Sequence, residues 1–471
     1  MLLHCIPSAL CAQLRTFEPC FTAPGFRHFV ALMTGWILAR GRHQLTRVFR
    51  MARALGYTAH HSSLYRFLSA GRWCLDSVGG VLVQLLLPFM GSRVVALVDD
   101  SLCRKCGSQI FGTGVHHDAA RSTYNRRGRR VIAFGFGHNW VTLALWVPCP
   151  WLAGRGWAVP VLFRLYRQKA RCPCSLYRKR TELAAELIGL LATLLPSDRR
   201  LVVAGDAAYC CKTVLRALPA GVDFVGPLPL DAALYGLPAP HSGCGRPRRK
   251  GYRLANPRTL AARPRAWTRR VADLYGRSVS LNVMSRVCLW YPSAGHRPVR
   301  VVITRDPKRR AEIRAYVATD ADLDPVLVLS LYSRRWQLEV TFREMKQELG
   351  FEDPQNGFWR RRRGLRANTR RHAPKPRAHH GERAVARTAP LAGIAYALTL
   401  LWYLQQGDIQ RDVARARRDA PWYQHKSTPS FQDMRNALCR EIRRRRFRRI
   451  LRWARLRQND RDLQAFEELA A

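Results

Sequence analysis

Two short apolar runs, Val94–Val98 and Leu201–Ala204, carry no polar alternation, and each stops at an acid, the first at Asp99 and Asp100, the second at Gly205 and Asp206. Runs this short and this uniformly apolar read as strands buried on both faces, so the chain has to build a sheet covered by helices. Neighbouring segments fit that demand. Strands are predicted around Arg130–Phe136 and Val141–Val147. A helix from Thr181 to Leu195 places Leu183, Leu187, Leu190, Leu191 and Leu194 on one side, a short helix runs to Leu218, and Val222–Val225 is a further strand. The alternation predicts a mixed α/β core. Asp100 and Asp206 would lie just beyond strand ends, where such sheets gather ligands, although an aspartate there equally often caps the next helix.

Outside this core the pattern changes. From Phe26 to about Leu87 the apolar spacing is helical, with Arg40, Arg42, Arg47, Arg50 and Arg53 interleaved; two helices about Gly56 suit either a DNA-reading module or an ordinary bundle. Pro227–Ala321 contains closely spaced strands at Ser278–Val283, Val287–Tyr291, Val299–Ile303 and Ala315–Thr319, which read as a β-rich insertion. Asp324 and Pro325 cap a helix running to about Gly350. Phe358–Arg387 reads as a mobile basic loop, Leu391–Leu404 as an apolar helix and Phe431–Leu456 as an arginine-rich helix. The expected regions are 1–90 (helical, DNA-binding), 91–226 and 322–405 (the core in two parts), 227–321 (the insertion) and 406–471 (a basic helical tail).

Composition narrows the partner. Of 471 residues 47% are hydrophobic, enough for a sizeable interior, yet 80 Lys and Arg face 32 Asp and Glu, a net charge of +48. Such an excess repels itself unless a polyanion is bound, which points to nucleic acid, while GC-rich coding bias toward arginine is the bland alternative. The 14 cysteines lack disulfide-framework spacing and suit a reducing cytoplasm. No signal peptide or membrane-spanning stretch is read from the sequence. Cys103 and Cys106, with His116 and His117, hold the ingredients of a zinc site but lack a second pair at finger spacing.

The helix after Asp324 carries the sharper signal. At 3.6 residues per turn, Tyr332, Arg335, Glu339, Arg343 and Lys346 fall within an arc of roughly 80°. One face then shows an acid among cations and a phenol, although Arg335 and Glu339 could simply form an i,i+4 ion pair. The order and spacing of Tyr332, Arg335, Glu339 and Lys346 resemble the Y-(2)-R-(3)-E-(6)-K signature of DDE transposases of the insertion-sequence-four group. The resemblance extends to Trp336, to Asp100 followed by Ser101, to Gly205–Tyr209, and to Gly112–Asp118 and Gly137–Trp140, for which no chemical role is evident. It spans about Phe26–Tyr403.

That resemblance implies an RNase H-like core in which Asp100, Asp206 and Glu339 hold two Mg²⁺ ions, with Mn²⁺ able to substitute, for in-line attack on a phosphodiester. It also implies that the β-rich stretch is the insertion this group carries. Tyr332, Arg335 and Lys346 would contact end phosphates. Asp99 and Asp100 cannot both face one metal from an extended strand; Asp100 is favoured because the family acid precedes Ser or Thr. The expected activity is strand cleavage at inverted repeats and 3′-hydroxyl transfer into target DNA. The expected partners are double-stranded DNA and a second copy of the chain, at the bacterial nucleoid and away from membranes. A derivative that binds DNA without cutting it is the alternative. A carboxylate-pair glycoside hydrolase is disfavoured, because a neutral sugar offers nothing to this charge.

Overall fold

A computed structural model describes residues 2–106, 110–118, 121–124, 128–239, 246–263, 266–307, 312–354 and 381–456. The chain forms two compact units.

The first unit comprises Met1–Leu82, Gly107–Phe111 and Glu344–Ala471 and is helical over its described residues, so that segments from early and late in the chain fold together. Its core is the helix Pro390–Gln406, buried on every side from Pro390 to Tyr403. With Gly381–Thr388 it makes a helical run long and apolar enough to cross a membrane, but 94% of its most apolar window is buried inside the protein. Such all-round burial marks the central helix of a bundle. It packs against Ser8–Arg15, Ala23–Leu38 and Phe431–Leu456, and Tyr396 stacks on Phe431 with ring centres 4.2 Å apart. The predicted basic helices about Gly56 form at Leu45–Ala54 and His61–Ala70, and Gly56 itself adopts φ +93°. Arg47, Arg50 and Arg53 lie exposed, opposite buried Leu45, Val48 and Ala52.

The basic loop expected over Phe358–Arg387 lies outside the described residues up to 380. Beyond that it is helical, because Ala384, Val385 and Thr388 form a buried face at helical spacing. Arg387 is buried with them, its guanidinium 4.4 Å over the Trp73 ring and donating to the Leu68 carbonyl at 3.1 Å.

The second unit, Val83–Cys106 and Gly112–Arg343, is built on a mixed sheet. Its strands are β1 (Arg93–Arg104), β2 (Gly114–His117), β3 (Thr123–Tyr124), β4 (Arg130–Val131), β5 (Phe134–Pro148), β6 (Gly156–Tyr166), β7 (Arg200–Gly205), β8 (Val222–Pro227), β9 (Thr268–Leu274), β10 (Arg277–Leu289), β11 (Pro298–Arg305) and β12 (Ile313–Ala318). The main sheet runs β2-β5-β1-β7-β8-β12-β11-β10-β9, with β6 also on β5; β3 and β4 pair separately. β5 lies antiparallel to β1, whereas β7 and β8 run parallel to it. The strands after Pro227 continue this sheet through β12, which pairs antiparallel with β8. Two strands predicted at Ser278–Val283 and Val287–Tyr291 are the single long β10, held in register along β11 from Asn282 to Leu289. β6 was not predicted at all, because Pro160 and the flanking glycines and arginines obscure its apolar run.

Two expectations about local structure need correction. The first strand does not stop at the acids: β1 continues to Arg104, with Asp99 opposite Thr142 and Asp100 opposite Val141 of β5. The helix expected from Asp324 to Gly350 is two helices, Pro325–Ser333 and Trp336–Glu348. Asp324 does cap the first, accepting from Val326 N and Leu327 N. The break at Arg334 and Arg335 is a tight turn with i to i+3 bonds: Arg335 N to the Tyr332 carbonyl at 3.0 Å and Leu338 N to the Arg335 carbonyl at 2.9 Å. Both arginines are drawn inward there, Arg334 to 3.9 Å over the Trp146 ring and Arg335 onto two carboxylates.

Candidate active site

The site is set by strand register. β1 and β7 run parallel with Val98 opposite Gly205, and their pairing ends there. The next residues, Asp99 and Asp206, are therefore neighbours across the gap and lie on the same side of the sheet. Gly205 makes this approach possible: a Cβ there would meet Phe224 Cζ at 2.7 Å and Val98 Cγ1 at 2.9 Å.

Asp99 is 14% exposed, and its carboxyl is pushed up to about 7, first by burial and then by the negative charge of Asp206. The neighbouring cation acts the other way: Arg335 Nη1 donates to Asp99 Oδ2 at 2.9 Å, while Arg335 Nη2 donates to Glu339 Oε1 at 2.7 Å. Burial alone would lower the Arg335 guanidinium, but Asp99 and Glu339 hold it above its usual range. One guanidinium thus bridges Asp99 and Glu339. Asp206 also accepts from Ala208 N at 2.9 Å and Tyr209 N at 3.3 Å through Oδ1, so it caps the turn after β7 as well.

Tyr332 belongs to the same group. Its phenol is raised by burial and feels both Arg335 and Asp206, and its ring lies 6.0 Å from the Arg335 guanidinium carbon. A cavity of about 420 Å³ opens here, lined by Tyr275, Arg314, Tyr316, Tyr332, Arg335 and Trp336 among others. Lys346 falls in the first unit and pairs with Glu352 at 3.2 Å.

Asp100 leaves the strand on the other side and is enclosed by donors. Asn139 Nδ2 lies at 2.7 Å and Arg180 Nη1 at 3.0 Å from Oδ2, and the Tyr209 hydroxyl donates to Oδ1 at 2.7 Å. Burial, the Asp100 charge and that hydrogen bond hold the Tyr209 phenol far above its ordinary range, so it stays protonated and donates. Asn139 lies within a stretch, Gly137–Trp140, that stood out in the sequence without a role, and Tyr209 follows the candidate acid Asp206; in the structure both donate to the carboxylate beside Asp99. Arg180 has no motif around it, and only the fold brings it to Asp100.

Among the described residues, no three His, Cys, Asp or Glu side chains gather at metal-binding spacing; Cys103, Cys106 and the nearby histidines form no such group either. The donors around Asp99 are nonetheless of the kind a hard divalent cation takes: carboxylate oxygens, with the Asp206 charge raising the cost of ionising Asp99 and Arg335 supplying compensating positive charge. The set fits a divalent ion once Arg335 yields its place between Asp99 and Glu339.

Comparison with known proteins accords with this picture. The family described as DDE superfamily endonuclease matches residues 16–278, more than half of the chain. The match includes Asp99, Asp100 and Asp206 and ends before Glu339. No curated protein matches the chain. Enzymes of this superfamily are nucleases and transposases that depend on divalent metal. That match, which spans more than half of the chain and takes in the paired aspartates at the parting of two parallel strands, places the chain in the DDE superfamily endonuclease family.

Proposed function

We propose that the protein is a DNA transposase of the insertion-sequence-four group, cutting strands at transposon ends and joining the freed 3′-hydroxyl to target DNA. The observation that carries this reading is the register that sets Asp99 beside Asp206, with Arg335 joining Asp99 to Glu339. The strand order β6-β5-β1-β7-β8, three antiparallel strands followed by two parallel to the first, supports an RNase H-like core. The strands from β9 to β12 suit the group's β insertion.

In this reading Asp99, rather than the Asp100 favoured on motif grounds, joins Asp206 and Glu339 as the metal-holding set, and Asp100 positions it. Two Mg²⁺ ions, or Mn²⁺, would be held by these three carboxylates and would supply Lewis-acid activation and charge neutralisation at the phosphodiester. The chain's own residues do the rest. Asp99 would hold a cation in its ionised form, beside the positive charge that Arg335 supplies. Arg335 would present its fork to non-bridging phosphate oxygens. Tyr332, protonated at neutral pH, would donate to a phosphate oxygen, and Lys346, in the first unit, is a separate candidate for a DNA phosphate. In cleavage a water oxygen bonds to phosphorus and the P–O3′ bond breaks, leaving a 3′-hydroxyl and a 5′-phosphate. In transfer that hydroxyl attacks a target phosphorus and displaces the target's own 3′-oxygen. The cavity of aromatic and arginine side chains beside the acids suits a nucleic-acid end. Pairing two ends calls for two copies of the chain, working on nucleoid DNA in the cytoplasm.

The Arg335 bridge also favours a second reading, a derivative that binds DNA with its acids locked and does not cut. Cleavage of a duplex carrying the inverted repeats that flank the gene, in Mg²⁺, decides. Asp99→Ala, Asp206→Ala and Glu339→Ala should each abolish product while keeping DNA retention, and Asp100→Ala should retain more activity than Asp99→Ala. Product from Asp99→Ala but none from Asp100→Ala would return the role to Asp100. DNA retention without product from the unsubstituted protein would establish the second reading.

A further inference from the structure

The ladder between β1 and β7 ends at Val98 and Gly205, so Asp99 and Asp206 lie just past the last paired residues of the two strands. Their charges act to separate those strand ends, since the Asp206 charge raises the cost of ionising Asp99. Arg335 offsets part of that cost, but its two bonds run to Asp99 and Glu339. A different residue fastens Asp206 to β1.

Tyr209 sits in the turn after β7, fully buried, with its backbone N–H donating to the Asp206 carbonyl at 3.2 Å and to Asp206 Oδ1 at 3.3 Å. Its hydroxyl reaches the other way and donates to Asp100 Oδ1 at 2.7 Å. One residue therefore grips both the carboxylate that follows β7 and the carboxylate next to Asp99 on β1. The far oxygen of Asp100 is fixed as well, by Asn139 of β5 at 2.7 Å and by Arg180, at the start of the helix Arg180–Leu194, at 3.0 Å. Of these three donors Tyr209 is the one bonded to Asp206 too. There is little slack beneath it, because a Cβ added at Gly205 would lie 3.2 Å from Tyr209 Cβ. A buried phenol needs an acceptor for its hydroxyl, and an ionised carboxylate makes the stronger kind of bond.

We propose that Tyr209 is a positioning residue for the metal-holding acids: bonded to Asp100 through its hydroxyl and to Asp206 through its backbone, it sets the spacing at which Asp99 and Asp206 share a divalent cation. Asp99 and Asp100 are consecutive on β1 and point to opposite faces, so fixing the Asp100 carboxylate fixes the backbone that carries Asp99. Tyr209 acts through Asp100 and is not itself a ligand of the cation. Side chains that orient a ligand set from behind change metal affinity or rate by about tenfold or more. This role rests on the transposase reading above, in which Asp99 and Asp206 hold the cation.

Tyr209→Phe removes the hydroxyl and keeps the ring. Thermal unfolding of the full-length protein is followed across a Mg²⁺ or Mn²⁺ titration, and cleavage of a duplex carrying the flanking inverted repeats is measured alongside. The variant should need about tenfold more cation for half of the thermal shift and should cut about tenfold more slowly at limiting cation, with DNA retention unchanged. In an Asp100→Ala background the same substitution should add little, because its route through Asp100 is gone. A lower melting temperature with an unchanged cation midpoint would make Tyr209 a packing residue only and overturn the proposal, as would a full effect that persists in Asp100→Ala. Should Tyr209→Phe not fold, Arg180→Gln loosens the same carboxylate from a half-exposed position and should raise the cation midpoint in the same direction; no change there also overturns it. An unsubstituted protein with neither a cation-dependent shift nor cleavage would sink the metal-dependent reading and this role with it. If it shows both and Tyr209→Phe behaves identically, the positioning role alone fails.

Discussion

Asp99 and Asp100 are adjacent in sequence, yet one faces Asp206 and Arg335 and the other a cage of Asn139, Arg180 and Tyr209. Alternation along a strand guarantees that they part, but which of them meets Asp206 is a matter of register between two strands far apart in the chain. Gly205 shows how tightly that register is packed. Gly205→Ala should destabilise the second unit by about 1–3 kcal/mol through overpacking against Phe224 and Val98, measured by denaturant titration. An unchanged midpoint would mean that the strands part easily there. In the first unit His43 makes a prediction about pH. It is 1% exposed, with its ring nitrogens near the Gly41 and Trp36 carbonyls, and is pushed down to about 4 by burial and then by Arg435. Its folded pKa lies below its unfolded value of 6.5, so the stability it confers is complete above about pH 6.5 and is lost as pH falls toward 4. The loss is on the order of 3 kcal/mol. The stability difference between the protein and His43→Gln should therefore shrink on acidification through that window, and a constant difference would contradict the assignment.

At the level of elements, the helices around Glu339 show where local pattern stops being informative. Asp324 and Pro325 mark the helix start correctly, and Gly350, at φ +58°, marks the end. The interruption at Arg334 and Arg335 has no glycine or proline to announce it. Both residues are good helix formers, and the chain breaks because the Trp146 ring and the Asp99 carboxylate, contributed by other strands, bind their guanidinium groups. Elsewhere a buried arginine does the opposite and fastens elements together. Arg435, 5% exposed, donates to the Ile37 carbonyl at 3.0 Å, to the Ala39 carbonyl and to Glu348 at 3.2 Å, tying Phe431–Leu456 to the end of Ala23–Leu38. Arg435→Ala should cost about 3–5 kcal/mol, the penalty for leaving a buried partner uncompensated. Arg435→Lys should recover little of that loss, because an ammonium cannot span three acceptors as a planar fork does. Recovery by lysine in thermal melts would show that charge, not geometry, holds the helices.

For the whole molecule the governing quantity is +48. Much of it is exposed on the described helices, as at Arg47, Arg50 and Arg53 and along Arg443–Arg445. Each DNA phosphate neutralised lowers log K by about 0.9 per decade of salt. Duplex binding should therefore weaken with a slope steeper than about −5 in a log–log plot of affinity against salt. A slope shallower than about −2 by anisotropy would mean that the excess charge serves something other than a DNA backbone. Such contacts position a duplex without reading its bases.

Amino-acid order alone determined where most of the buried strands lie, where capped helices begin, how large the positive charge excess is, and which acidic and basic side chains are chemically notable. Those properties are local: they follow from apolar spacing, cap residues and summed charge, each visible within a few residues or in a total. Tertiary structure alone decided that Asp99 rather than Asp100 meets Asp206, that Arg335 lies between two carboxylates, and that Arg180 binds the neighbouring acid. Each depends on register or packing between segments separated by tens to hundreds of residues, and a one-residue slip of a strand reverses every side chain upon it.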